Sequence, residues 1–406
     1  MGYSTPAAAQ EIPATTTIER ADAVRLGAER GPDVAVAVAP REGTLEARAV
    51  AGRLPHPPLV SITGGYRSSS FLPGPEIGVT LTQDFPLRSL SGERKLTSDA
   101  TAAAIDADVH RARLEGAARA VNAWLTTLEA KELVRLRTDA GQQAEGVLRV
   151  AEVRVKSGVA LPQELMVARG DAAAAEAGIL DAEGMLVESL AELRFVLGQD
   201  PTAVLDVTGD LYATDDRAVD ETAAIRAAQS HPVILLAQAR ASVAHHEASL
   251  VNAMLGPTIT VGGAYLHEGT GDQVWTAIVG IPLPFVNPAA YETARQRAIA
   301  MTAEAQIERV QAEMMRDIHL AIHDHEHWRE VRDALRDQAV PPMKEALRLA
   351  RVSYEAGTQD LSLVLLARQR LVGVEEMLAR AAGEVQRADL RLQRATGALL
   401  APSRMP

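Results

Sequence analysis

No cysteine occurs among the 406 residues. This excludes disulfides, zinc-thiolate centres, thiol catalysis and an N-terminal lipid-anchoring cysteine in the chain as written. Aromatic residues amount to only 3 % while alanine is abundant, which points to long helices packed closely on one another rather than a core of large rings. No apolar run reaches the ~18–20 residues that a membrane-crossing helix needs. Acidic residues outnumber basic ones by 53 to 41, for a net charge of −12, which disfavours a nucleic-acid-binding surface. Proline is absent from Ser91 to Lys156, so that stretch is free to form roughly 100 Å of continuous helix at ~1.5 Å per residue. The opening "MGYSTPAAAQEIP" lacks a basic segment and an apolar segment, yet Ala7 to Ala9 before Gln10 look like a small-residue cleavage site. Residues 1–16 therefore read either as a signal-peptide remnant or as a disordered tail.

The chain nearly repeats itself at a shift of 199 residues. "PLVSITGGY" (Pro58 to Tyr66) falls on "PTITVGGAY" (Pro257 to Tyr265), and "RVAEVRVKSG" (Arg149 to Gly158) on "RLARVSYEAG" (Arg348 to Gly357). Ala168-Arg169 falls on Ala367-Arg368, and Gly198 on Gly397. One shift holding at separated places marks an internal duplication. The expected organisation is a first repeat over 17–205, a linker at 206–218, a second repeat over 219–400 and a tail at 401–406. Each repeat carries lead-in helices, a β-hairpin (58–87; 257–285) and a helical hairpin (91–198; 289–397). The hairpins follow from alternating β-branched and small residues with Gly and Pro between the runs. Pro341-Pro342 is the expected break in the second outgoing helix.

The returning helices carry a heptad seam: Leu371, Val374, Leu378, Ala381, Val385, Ala388, Leu392 and Ala395, matched by Ala172, Ala175, Ile179, Ala182, Leu186, Ser189, Leu193 and Val196. The fold class is mainly α with a small β part. Four strands of about bilayer length cannot close a barrel, since about eight is the smallest closed number. If they lie in lipid, several chains must share one barrel, and three chains supply twelve strands.

Duplicated halves, each a strand hairpin followed by a long helical hairpin, resemble the TolC-type outer-membrane efflux family over about Thr17 to Leu400. The motifs are the tip "SYEAGTQDLSLVLLARQRL" (Ser353 to Leu371), the Pro-Leu-Pro exit "GIPLPFVNPAAYETARQRA" (Gly280 to Ala298) and the stretch His231 to Tyr265. In flavour the chain is nearest the heavy-metal and cation branch. The resemblance implies a homotrimer with a 12-stranded β-barrel in the outer membrane and a 12-helix α-barrel in the periplasm. It implies a passive duct without cofactor or catalysis, with metal cations as a candidate cargo. Its tips would dock on a periplasmic adaptor serving an inner-membrane pump. The docking residues implied are Val155, Lys156, Ser157, Gly158 and Val159, continuing to Leu161, and Tyr354, Glu355, Ala356, Gly357, Thr358 and Gln359, continuing to Leu361. The family's acidic gate positions are occupied here by Leu363 and Leu366, and in the first copy by Glu164 and Val167, leaving Asp360 and Asp171 as the nearest acidic substitutes. The family's lipidated cysteine has no counterpart, which leaves open an unlipidated member or a different N-terminus.

"DIHLAIHDHEHW" (Asp317 to Trp328) places four of the ten histidines within nine positions. On a helix His319, His323 and His327 share one stripe, while His325 points away. The stripe reads as a solvated polar face or as a weak cation contact, in which one ion takes two histidines at once. It lacks the glutamate of a zinc-protease helix motif. Two other readings stay open: a soluble coiled-coil scaffold, which leaves the matched hairpins unexplained, and a metal-dependent enzyme built on these histidines, which leaves the duplication unexplained.

Overall fold

A computed structural model describes residues 16–53, 56–68, 70–213, 220–281 and 289–400. Residues 1–15 of the N-terminal tail, 282–288 of the Pro-Leu-Pro exit, 214–219 of the linker and the C-terminal tail expected from the sequence lie outside the described residues. In chain order the first half comprises β1 (Thr16–Ile18), α1 (Arg20–Arg30), α2 (Pro32–Val38), α3 (Arg41–Val50), β2 (Leu59–Arg67), β3 (Gly74–Pro86), α4 (Leu90–Lys156) and α5 (Pro162–Val196). The second comprises β4 (Leu205–Val207), α6 (Glu221–Ala228), α7 (Pro232–Met254), β5 (Thr258–His267), β6 (Gln273–Gly280), α8 (Ala289–Ala334), a π-turn (Leu335–Ala339), α9 (Val340–Glu355) and α10 (Leu361–Thr396).

The chain divides into two compact units, and each draws on both repeats. One holds the described parts of Met1–Val36, His110–His231 and Glu313–Pro406; the other holds Ala37–Val109 and the described parts of Pro232–Ala312.

The first unit is a packed helical layer. Its core joins Leu114, Val121, Trp124 and Leu125 of α4 to Leu193 and Val196 of α5 and to Ala379, Ala382 and Leu390 of α10. Alanine and glycine set the spacing: a Cβ on Gly27 would lie 2.6 Å from the Gly116 carbonyl oxygen, so α1 and α4 cross with backbones nearly touching. The short parallel pair β1–β4 escaped sequence reading, because three residues carry no period. The buried Trp124 anchors it by donating its indole N–H to Ile18 O at 3.0 Å. Asp220 caps α6 by accepting from Ala223 N at 3.1 Å.

The heptad seam is the line along which α5 and α10 are least exposed. Ala182, Ser189, Leu193 and Val196 are buried on α5, as are Leu371, Ala381, Val385, Ala388 and Ala395 on α10. The helices differ off the seam. α10 buries further residues such as Val364, Ala382 and Leu390, whereas α5 leaves Leu180, Met185, Val187 and Phe195 in solvent. α5 is thus packed on one side only.

Pro341-Pro342 does not break the helix. The two prolines occupy the start of α9, and the turn before them widens, with Val340 N–H bonding Leu335 O. Prolines cannot donate to the preceding turn, and the extra residue of a π-turn absorbs that loss of register.

The second unit contains a sheet of order β2-β3-β5-β6, antiparallel throughout. Its strands have 9, 13, 10 and 8 residues, against an expected ~9–11 for a tilted strand that crosses a bilayer. α3 buries no residue and is held to α4 by Arg41–Asp106 at 3.0 Å and Arg48–Asp99 at 2.5 Å.

His231 closes the turn into α7 and is 2 % exposed, its ring Nε2 bonded to Arg394 O at 2.9 Å. Burial holds its pKa below the usual imidazole value, outweighing the Arg394 carbonyl and Glu115, which favour the charged ring. A depressed folded-state pKa means the unfolded chain binds the proton more readily, so stability present above the ordinary histidine range is lost as pH falls through it. The thermal midpoint should drop between pH 7.5 and 5.5, and His231→Gln should make that drop shallower; scanning fluorimetry across pH reads both.

Candidate functional site: the sheet faces and the helix tips

Side chains alternate between the two faces of a strand, so the register assigns every sheet residue to a face. One face collects Val60, Ile62 and Tyr66 of β2, Ile77, Val79, Leu81 and Phe85 of β3, Ile259, Val261 and Tyr265 of β5, and Trp275, Ala277 and Val279 of β6, with Gln83, His267 and Gln273 as its polar members. The other collects Ser61, Thr63 and Arg67, then Glu76, Thr80, Thr82 and Asp84, then Thr258, Thr260 and Thr276, with small or aliphatic residues between. The sheet is therefore mainly apolar on one side and hydroxyl-rich on the other.

The apolar face is uncovered in the single chain: Ile62 is 74 % exposed and Trp275 78 %. Three of its four aromatics gather towards one end, with Phe85 at the other. Tyr265 and Trp275 are cross-strand partners with ring centroids 4.8 Å apart, and Tyr66 lies at the same end of β2. On the polar face at that end, Arg67 bonds Glu76 and reaches Glu268 at 3.1 Å. Towards the other end Thr260 donates to Asp84 at 2.5 Å. Strands β2 and β6 are open edges.

The helix tips belong to the other unit. Gly158 and Gly357 have φ of 72° and 75°, a left-handed conformation that favours glycine. Both turns make the same pair of bonds: Gly158 N to Val155 O and Val159 N to Arg154 O, matched by Gly357 N to Tyr354 O and Thr358 N to Ser353 O. This two-bond closure caps the last carbonyls of a helix. Lys156, Ser157, Gly158 and Val159 are exposed, as are Glu355, Ala356, Gly357, Thr358 and Gln359; Val155 is half-buried.

Tyr354 departs from the expectation of an exposed docking residue. It is 2 % exposed and packs with Val147, Ala151, Leu347, Leu361 and Val364 in a core that ties the two hairpins together. Arg154 sits 4.6 Å over its ring and donates to its carbonyl at 2.7 Å, while its hydroxyl donates to Glu164 at 3.1 Å. Burial pushes the phenol up to about 12, with the Glu164 hydrogen bond adding to the shift, so the hydroxyl keeps the proton it donates.

Two of the acidic gate candidates are thus engaged across the hairpins. Glu164 accepts from Tyr354, and Asp171 accepts from the buried Arg368, which also donates to Ala140 O at 3.2 Å. Among the described residues Asp171 Oδ2 accepts no hydrogen bond. Asp360 stands exposed at the start of α10, and Leu363 and Leu366 are also exposed. Arg154 and Arg368 carry these ties and were not singled out from the sequence; Arg368 aligned with Arg169 in the repeat, but nothing local reveals its partner.

Residues 224–398 match the outer membrane efflux protein family. That family is one of outer-membrane transport components rather than enzymes, and the match lies within the second repeat. Solved structures share the fold: a membrane protein from Pseudomonas aeruginosa at 18 % identity, with 98 % of this chain and 99 % of that one covered and a TM-score of 0.78. The Campylobacter jejuni CmeC outer membrane channel follows at 14 %, 95 % and 87 %, with 0.78. CusC, described in terms of transmembrane channel formation, stands at 14 %, 98 % and 98 %, with 0.76. No curated protein matches the chain in sequence. No described helix is long and apolar enough to cross a membrane.

On α8 the histidine stripe does not gather around one point. His319, His323 and His327 are exposed on α8, and among the described residues no group of three or more His, Asp or Glu is placed to hold a metal. His325, opposite the stripe, is 6 % exposed and takes its place in the buried line Met314, Ile318, Ala321.

Removing one member of a buried ion pair strands the other, which typically costs about 3–5 kcal/mol, whereas replacing both with apolar residues is often neutral. Asp171 is partly accessible, so Arg368→Ala should cost about 2–3 kcal/mol. The double variant Arg368→Met with Asp171→Leu should recover most of it, read as thermal midpoints of the purified proteins.

Proposed function

We propose that three copies of this protein form one passive duct across the outer membrane, each contributing its four strands to a shared twelve-stranded barrel. The two-faced, open-edged sheet carries the reading. In lipid the apolar face meets acyl chains, the aromatic end sits at the headgroup level, and the hydroxyl-rich face lines a watery lumen. An open edge strand of nine residues would leave several backbone groups unsatisfied in hydrocarbon, a penalty on the order of tens of kcal/mol. That exceeds the ~5–15 kcal/mol by which a folded domain is stable. Neighbouring copies remove the edges. The one-sided packing of α5, with Leu180, Met185, Val187 and Phe195 exposed, fits the same arrangement, since a second copy would cover those residues.

The two tip turns are the docking points for a periplasmic adaptor, which couples the duct to an inner-membrane pump. Val159 and Leu161 in the first copy and Leu363 and Leu366 in the second give the tip region exposed apolar residues for such a contact. The Arg154–Tyr354–Glu164 and Arg368–Asp171 ties hold the hairpins of one chain together at rest, and opening requires them to exchange partners. Of the gate candidates, Asp360 is the acidic side chain left free for a lumen contact. Metal cations are the candidate cargo, in keeping with the resemblance to the cation-efflux branch.

Light scattering, corrected for detergent, on protein extracted from an outer-membrane fraction should give a mass near three chains. A monomer or dimer that stays in solution without detergent would overturn the shared-barrel reading.

A further inference from the structure

We propose that His319 and His323, on the exposed face of α8, form a binding site for one divalent transition-metal ion, with Glu221 as the residue that positions His319. The two histidines lie four apart on a helix and share one face, the spacing by which a helix offers two imidazoles to a single ion. Spacing alone does not select this pair, because His323 and His327 have it too. The selection comes from Glu221, at the start of α6, whose Oε1 lies 3.0 Å from His319 Nδ1. A carboxylate on one ring nitrogen fixes the tautomer with the proton on Nδ1, turns the ring, and leaves the Nε2 lone pair outward for a metal. His327 has no such carboxylate partner among the described residues; its ring lies 6.1 Å from that of His323 and meets Trp328 edge-on at 5.3 Å.

Asp317 is committed to Arg316 at 2.7 Å and Asp324 to Arg391 at 3.1 Å, and among the described residues no third His, Asp or Glu is placed to complete a coordination shell. The ion therefore has two imidazole ligands and keeps water in its remaining positions. Such a site is open and exchangeable, suited to borderline ions that favour imidazole, with copper(II) bound most tightly and zinc(II) less so. The other paired histidine, His245, has Nε2 2.7 Å from Glu304, and its neighbour His246 is one residue away and ~100° around the helix, so it cannot chelate. The proposal stands apart from the channel reading, since the purified protein binds the ion or fails to, whatever it transports.

Calorimetric titration of Cu2+ into the detergent-solubilised full chain tests it. About one ion per chain should bind, and His319→Ala or His323→Ala should each abolish that site. Glu221→Gln should weaken it by roughly 10–100-fold, the usual effect of losing a carboxylate behind a metal-bound histidine. His327→Ala and His245→Ala should bind as the parent does. All the substituted residues are exposed or half-buried on the surface, and circular dichroism should show unchanged helix content. Absence of saturable binding below millimolar Cu2+, or a site that survives His323→Ala, would overturn the proposal. So would a site lost in His327→Ala but kept in His319→Ala.

Discussion

A strand satisfies half of its backbone hydrogen-bonding groups on each side, and a sheet with two free edges leaves one row open at each end. In water that row costs little, because solvent pairs with it. In hydrocarbon nothing does, and the same row becomes the largest unfavourable quantity in the structure. The sheet formed by β2, β3, β5 and β6 carries this constraint together with an apolar face that water would not tolerate, so its side chains call for lipid while its backbone forbids lipid unless the edges close. Every other assembly feature is consistent with that conflict being resolved by further copies, including the exposed apolar residues along α5.

The helical unit solves a different problem with different chemistry. It has few large side chains, so its cohesion comes from close backbone approach at Ala and Gly along the seams and from charged ties at selected levels. Glu129 with Arg387, Asp171 with Arg368, and Glu164 with Tyr354 each connect helices of the first repeat to helices of the second. Such ties fix register more than they add stability, since buried charge pairs roughly repay their own desolvation. Near the tips they are concentrated around Tyr354, where one aromatic ring packs against apolar neighbours, receives an arginine on its face and donates to a carboxylate. Those contacts are the ones that a change of tip geometry has to break.

Much of this was legible in the sequence, and the reason is periodicity. The shift of 199 recurs in the structure as α4 ending at Lys156 and α9 at Glu355, as tip glycines with φ of 72° and 75°, and as the later pair Gly198 and Gly397 at 60° and 73°. Alternation gave the hairpins, and the three-four spacing gave the seams. Three kinds of feature stayed hidden. Elements of three residues, β1 and β4, are too short to carry a period. Partnerships between residues 190 and 197 apart, Tyr354–Glu164 and Arg368–Asp171, leave no local trace, and so the buried role of Tyr354 was missed. The proline pair was expected to interrupt a helix that instead passes through it by a widened turn, because the extra residue of a π-turn absorbs the loss of two donors.

The central claim is that the two faces of the sheet meet different solvents. Because the chain has no cysteine, a single one can be placed on either face without background. Val79→Cys and Leu81→Cys report the apolar face; Thr80→Cys and Thr82→Cys, their neighbours along the same strand, report the hydroxyl-rich face. Reaction of each with a water-soluble maleimide, in outer-membrane vesicles carrying the assembled protein, reads the environment directly. The account predicts labelling at the two threonine positions and protection at the valine and leucine positions. Equal labelling on both faces, or the reverse pattern, would contradict it.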